Sequence, residues 1–110
     1  MIVSINQPAY LPWPGYFHRI AASDLHIVLD HVQFEKNSLT NRNRVKSSAG
    51  PLWLTVPVKT SGLFGQLPIH ALAIDNQQNW PKKHWQTIRQ CYARARYFSV
   101  YETFWRRSGP

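Results

Sequence analysis

Residues 7–17 read Gln-Pro-Ala-Tyr-Leu-Pro-Trp-Pro-Gly-Tyr-Phe, with three prolines, one glycine and four aromatic rings. A helix interior or a central strand loses a backbone hydrogen bond at each proline, so the stretch is neither. It is a constrained loop, and its flanks say what it connects. Before it, Ile2 to Ile5 read as a short buried strand. Within it, Pro14 suits the first turn of a helix, where a missing N–H costs nothing. Phe17, Ile20 and Ala21 give that helix one apolar face. Ser23-Asp24 ends it, and Leu25 to Leu29 form a compact apolar run suited to a parallel sheet. Strand, loop, helix and strand within about thirty residues make a βαβ unit.

The chain has 110 residues, 44% of them hydrophobic, enough for one folded domain or part of one. Thirteen Lys and Arg against five Asp and Glu give a formal net charge of +8. That balance favours anionic partners: nucleic acid, a nucleotide, a phosphorylated sugar or an anionic membrane surface. Cys91 is the single cysteine; it excludes an internal disulfide framework and a cysteine-rich zinc site, and it fits a reducing cytoplasm. No stretch has the form of a secretory signal. No run approaches the about 20 apolar residues needed to span a bilayer. The expectation is a soluble, cytoplasmic, basic domain.

Residues 35–51 have the polar, basic composition of a loop. Leu52 to Val58 resume strand character, with Pro57 marking an edge or a bulge. Residues 59–66 read as a flexible loop and Leu67 to Ile74 as another strand. Asn79-Trp80-Pro81 is a helix start. Trp85, Ile88, Tyr92 and Ala95 then repeat as an apolar stripe, with Cys91 beside it as a core residue. A last helix is expected over 97–107, with Tyr101, Phe104 and Trp105 on its inner side. The expected fold is α/β, a βαβ-containing, Rossmann-like partial domain with a mainly helical C-terminal part.

A loop beyond the C-terminal end of the first strand is where open α/β sheets hold ligands. The following helix offers free N–H groups and a positive dipole end, which suit phosphate or carboxylate. Gly15 permits close backbone approach, and Trp13 and Tyr16 can stack on a base or a sugar face. The alternative is that Tyr10, Trp13, Tyr16 and Phe17 only plug the end of the core. A second constellation runs from Asp30 and Gln33 through Lys36 to Asn41-Arg42-Asn43-Arg44. In an extended segment Arg42 and Arg44 face one way, and their guanidinium forks match phosphate or carboxylate. Asn side chains add neutral donors and acceptors for sugar hydroxyls or amides. The alternative is a solvated basic loop in which Asn serves turns. Asp30 is a candidate general base, or else a turn cap. No His-x₃-His or Glu-x-x-His pair with a third ligand is present, so no metal is expected. His26 reads as a packed histidine, and His70 and His84 show no usable spacing.

The opening stretch also has the outline of the nucleotidyltransferase superfamily, in which a strand and a proline-bearing loop lead to a HxGH motif opening a helix. Here the tetrad is Trp13-Pro14-Gly15-Tyr16, with the glycine in place and both histidines absent. His18, further along the helix, substitutes only in part.

A second resemblance is closer. Gln7-Pro-x-Tyr10-Leu-Pro-Trp13-x-Gly15-Tyr-Phe17, Ser23-Asp24, Leu29-Asp-x-Val-Gln33-Phe, Asn41-Arg-Asn-Arg44 and Trp53-Leu-Thr-Val-Pro57-Val together resemble the WbqC-like proteins. The likeness continues through Trp80-x-Lys-Lys-His84-Trp, Tyr92 and Ala95-Arg-Tyr-Phe98. It implies a role in bacterial surface-polysaccharide (O-antigen) biosynthesis, with a nucleotide or nucleotide-sugar bound and an acyl or aminoacyl group transferred to an amino sugar. It leaves the use of ATP open. Two departures matter: His31 stands where the family's second acid is usual, and members run longer. Residues 1–110 are therefore expected to be the N-terminal portion of a longer domain.

The expected ligand-binding set is Gln7, Tyr10, Trp13, Gly15, Tyr16, Gln33, Lys36, Asn41, Arg42, Asn43 and Arg44, with Asp30 and His18 as catalytic candidates. Other readings of the same residues are a basic nucleic-acid-binding module and a truncated, non-catalytic domain.

Overall fold

The computed structural model describes residues 1–60 and 67–108, with the side chains of 104–108 left aside. It is a mixed α/β structure. Strand β1 (Val3–Asn6) leads through the proline-rich loop to helix α1 (Pro14–Ala21) and back to strand β2 (Leu25–Val28). The two strands pair in parallel, Val3 opposite Leu25 and Ile5 opposite Ile27, so the expected βαβ unit is present. Helix α1 has Pro14 in its first turn, and Ser23 closes its far end by bonding back to the Ile20 carbonyl.

Strands β3 (Arg42–Ser47) and β4 (Gly50–Thr55) form a separate antiparallel hairpin. Residues 42–47 are therefore strand, although their composition read as loop. Their partner explains it: Arg44 lies opposite Trp53 and Val45 opposite Leu52, so cross-strand pairing overrides the low intrinsic preference. Gly50 closes the turn at φ 114°, a conformation that a side chain resists. Strand β4 stops at Thr55, before Pro57, which has no N–H to extend a ladder.

The strand expected over 67–74 is instead a single 3₁₀ turn, Ile69–Ala71, between isolated bridges of Pro68 to Gln33 and Ile74 to Val58. Of the loop expected over 59–66, residues 61–66 lie outside the described residues.

Helix α2 (Trp80–Tyr92) begins where the Asn-Trp-Pro signal places it, and α3 (Phe98–Ser108) follows. Trp85 stacks on Phe98 at 6.2 Å, and Arg89 meets Glu102 at 3.5 Å, which joins the two helices. Tyr101 is exposed rather than inward, and Ala95 falls beyond α2 on the surface. Phe104 and Trp105 lie outside the described side chains.

The core sits between the hairpin and α2. Val45, Leu54 and Ile88 are buried together, with Tyr10, Leu11, Trp85, Cys91 and Tyr92 packed around them. The opening loop thus supplies part of a core built by distant segments.

Candidate functional site

The loop after β1 is held by a small set of polar contacts. The Asn43 amide donates to the carbonyls of Tyr10 and Leu11, at 3.2 and 2.9 Å. Leu11 has φ 45°, a region a branched side chain avoids, and these two bonds hold it there. The Tyr10 backbone N–H donates to Leu39 at 3.0 Å.

The Tyr10 ring reaches further. Its hydroxyl lies 2.8 Å from His84 Nδ1, while His84 Nε2 lies 3.0 Å from the Thr55 carbonyl. A carbonyl only accepts, so Nε2 carries the proton and Nδ1 accepts from Tyr10. The Trp80 ring meets the imidazole edge at 5.3 Å. One buried histidine therefore ties the opening loop, β4 and α2 together.

Burial raises the Tyr10 phenol above its usual pKa and lowers His84, with the Thr55 hydrogen bond opposing the latter. The unfolded chain then binds more protons at His84 than the folded chain does near and below its ordinary pKa of about 6.5. The stability that neutral His84 contributes is complete above that pH and is lost as pH falls through it to the lower folded value. Urea midpoints at about pH 8 and about pH 5.5 measure this. The acid-side loss is expected to be smaller in His84→Gln than in the parent chain; an equal loss would refute the assignment.

Around this scaffold lies a cleft of about 160 Å³ at the C-terminal end of β1. Gln7, Trp13 and Tyr16 line it, facing Ser38, Leu39 and Thr40. Trp13 and Tyr16 meet edge to face at 5.4 Å, and the Tyr16 hydroxyl donates to the Gln7 carbonyl. A Cβ on Gly15 would come within 3.1 Å of the Trp13 indole, so glycine here lets that ring fold over the start of α1. Asn6 also lines the cleft; its Oδ1 accepts from Arg19 at 2.8 Å, and its buried Nδ2 has no hydrogen-bond partner among the described residues.

The basic residues gather elsewhere. Arg42 and Arg44 do share one face of β3, and both lie over Trp53, at 4.1 and 5.4 Å from the ring centre. Two guanidinium groups held at one indole repel each other and concentrate positive potential, which an anion relieves. Asn41, Arg42 and Lys36 line a second cleft of about 190 Å³ with Phe34, Pro57 and Val58, while Asn43 and Arg44 border a shallow one along the hairpin.

The expected site residues thus fall into separate groups. Gln7, Trp13, Gly15 and Tyr16 come together. Tyr10 and Asn43 are committed to the scaffold. Asn41 Nδ2 donates to the Val56 carbonyl, and Gln33 accepts from the Leu67 N–H. Asp30 follows β2, its carbonyl accepting from His70, and His18 lies exposed on α1. No hydrogen bond joins these two among the described residues. Among those residues, no three or more His, Cys, Asp or Glu gather as metal ligands.

His26 bonds Ser4 through Nδ1 at 2.8 Å, but its buried Nε2 has no partner among the described residues, so it is only half satisfied. Sequence reasoning missed His84, Trp53 and the 38–40 wall. His84 stands four residues before Ile88 on the helical stripe, a signal that was available. The wall and the Trp53 stack depend on pairing that no local pattern reports.

Comparison with known proteins adds a family. The profile of the WbqC-like protein family matches residues 7–107. The uncharacterized protein Rv1507c of Mycobacterium tuberculosis (strain ATCC 25618 / H37Rv) is 42% identical over 97 residues, 88% of this chain and 41% of that protein. The chain thus spans about two fifths of the length of that curated relative. No solved structure matches.

Proposed function

The chain belongs to the WbqC-like protein family, and from that premise we propose that it binds a nucleotide or nucleotide-sugar in bacterial surface-polysaccharide (O-antigen) synthesis. The observation that carries this is the cleft at the end of β1, where Trp13 and Tyr16 stand beside Gln7 at the start of α1. Its volume is below the ~300 Å³ at which small-molecule pockets begin, so it takes one ring of such a ligand rather than all of it. The βαβ unit would then be the first part of a Rossmann-like domain within a longer cytoplasmic protein. Phosphate would rest on the α1 N-terminus or the Arg42–Arg44 pair.

The reading extends to transfer of an acyl or aminoacyl group. The amino-sugar nitrogen would attack the acyl carbonyl, Asp30 would take the proton, and the acyl carrier would leave.

Calorimetric titration with a panel of nucleotide-sugars tests the binding. We expect one class to bind, and Trp13→Ala to weaken it by about 10-fold or more, the value of a lost ring stack. No binding by the parent chain, or unchanged affinity in Trp13→Ala, would overturn the assignment.

A second reading has its own observation. The outer face of the hairpin presents Arg42, Arg44 and Trp53 together, the mixture of charge and ring that single-stranded nucleic acid uses. Binding of mixed-sequence RNA that falls steeply with salt and is lost in Trp53→Ala would favour that reading.

A further inference from the structure

The β1–β2 pair has its polarity the wrong way round for a finished surface. Residues paired across a parallel ladder share a face, so Ser4, His26, Asn6 and the one apolar residue Val28 lie on one side and Val3, Ile5, Leu25 and Ile27 on the other. Helix α1 covers the polar side: Arg19 bonds Asn6, Ser23 bonds Ser4, and Tyr16 meets the His26 ring. The aliphatic side is half-exposed among the described residues. Val3 is 48% exposed, Ile5 51%, Leu25 49% and Ile27 41%. A one-sided sheet buries its apolar face and wets its polar one, and this pair does the reverse. Among the described residues each strand has only the other as a ladder partner, so both outer edges of the parallel pair are open there. Parallel sheets occur with both faces covered, by helices that cross over between further strands.

We propose that this aliphatic face is the docking surface for polypeptide of the kind that lies outside the matched part of the longer mycobacterial relative, and that the docked element is a further parallel strand with an apolar-faced crossover helix. The match to the mycobacterial relative leaves more than half of that protein outside it, which is ample length for such a unit. A second copy of this chain is the poorer fit. It would set one +8 chain against another, and a twofold axis would pair the open edges antiparallel.

Hydrogen exchange on this chain and on the full-length mycobacterial relative tests the proposal. Outward-facing amides of residues 3–6 and 25–28 are expected to exchange freely here. In the equivalent strands of the relative all amides should exchange at least about 100-fold more slowly, as in a sheet interior. Ile27→Lys provides the side-chain arm. It should leave the melting temperature of this chain within about 4 °C, because the position faces water. The equivalent change should lower that of the relative by about 10 °C or more, because it buries a charge. Ile27→Thr, which keeps the β-branch, serves if the lysine variant does not fold.

Three outcomes overturn the proposal. In the first, the relative shows open strands and tolerates the substitution. In the second, this chain is a dimer that Ile27→Lys dissociates, which makes a second copy the occupant. In the third, the chain binds lipid vesicles through the same residues, which makes a membrane the occupant.

Discussion

His84→Ala is expected to remove about 3–5 kcal/mol of unfolding free energy, a large effect for a single polar change. His84 is only 7% exposed, so removal of its ring leaves a cavity of the kind that core truncations create. It also strips two groups of their partners at once, the Tyr10 hydroxyl and the Thr55 carbonyl. Each such buried group left unmet costs about 1–3 kcal/mol. Urea denaturation followed by tryptophan fluorescence measures the loss. Tyr10→Phe removes one bond and keeps the ring, so it should cost about 1–2 kcal/mol. The double variant should lose less than the sum, since both changes break the same contact. A loss below about 1 kcal/mol in His84→Ala would mean that the histidine does not join the loop to the helix.

Leu54→Ala should cost about 3 kcal/mol, within the 2–5 kcal/mol typical of buried leucine truncation. Leu54 is 6% exposed and packs with Val45 and Ile88 at the centre of the core. Only seven apolar residues are buried among those described, so little surrounds the gap to stabilise the chain. Against a total stability of about 5–15 kcal/mol, such a loss is large. Leu52→Ala, two residues earlier on the same strand, is the internal control. Leu52 is 42% exposed and should cost less than about 1 kcal/mol. Thermal melts of the two variants decide the point, and equal losses would place the core elsewhere.

The elements that were legible are those whose signals are local. Pro14 in the first turn of α1, the Asn-Trp-Pro start of α2 and the short apolar runs of β1 and β2 each lie within a few residues. The elements that were not legible depend on a partner. Arg42 to Ser47 look like a polar loop until Gly50 to Thr55 lie beside them, because a strand is stabilised across the ladder rather than along it. Pro68 and Ile74 each bridge a different segment, so residues 67–74 do not make the strand that their composition suggests. Tyr101 sits on the outside of α3 because Phe98, not Tyr101, meets Trp85. The candidate site divides in the same way. Trp13, Gly15 and Tyr16 are neighbours in the chain and stayed neighbours in space. Arg42 and Arg44 share a face as alternation requires, yet that face is fixed by Trp53 and not by the opening loop.

The amino-acid sequence by itself determined that residues 7–17 form a rigid turn into a helix, that two short strands flank it in a βαβ unit, and that the chain carries a strong positive charge. Those properties follow from proline geometry, short-range periodicity and the count of ionised groups, none of which needs a distant contact. Only the tertiary structure decided what each ring in that turn does. Tyr10 turns inward because His84, from a helix that begins seventy residues later, offers its hydroxyl a buried acceptor. Trp13 and Tyr16 remain at the cleft because Gly15 leaves room for the indole and Ser38 to Thr40 form the facing wall. The physical reason is the same in each case: a side chain's environment is set by segments far away in the chain, and burial and hydrogen bonding exist only once they have met.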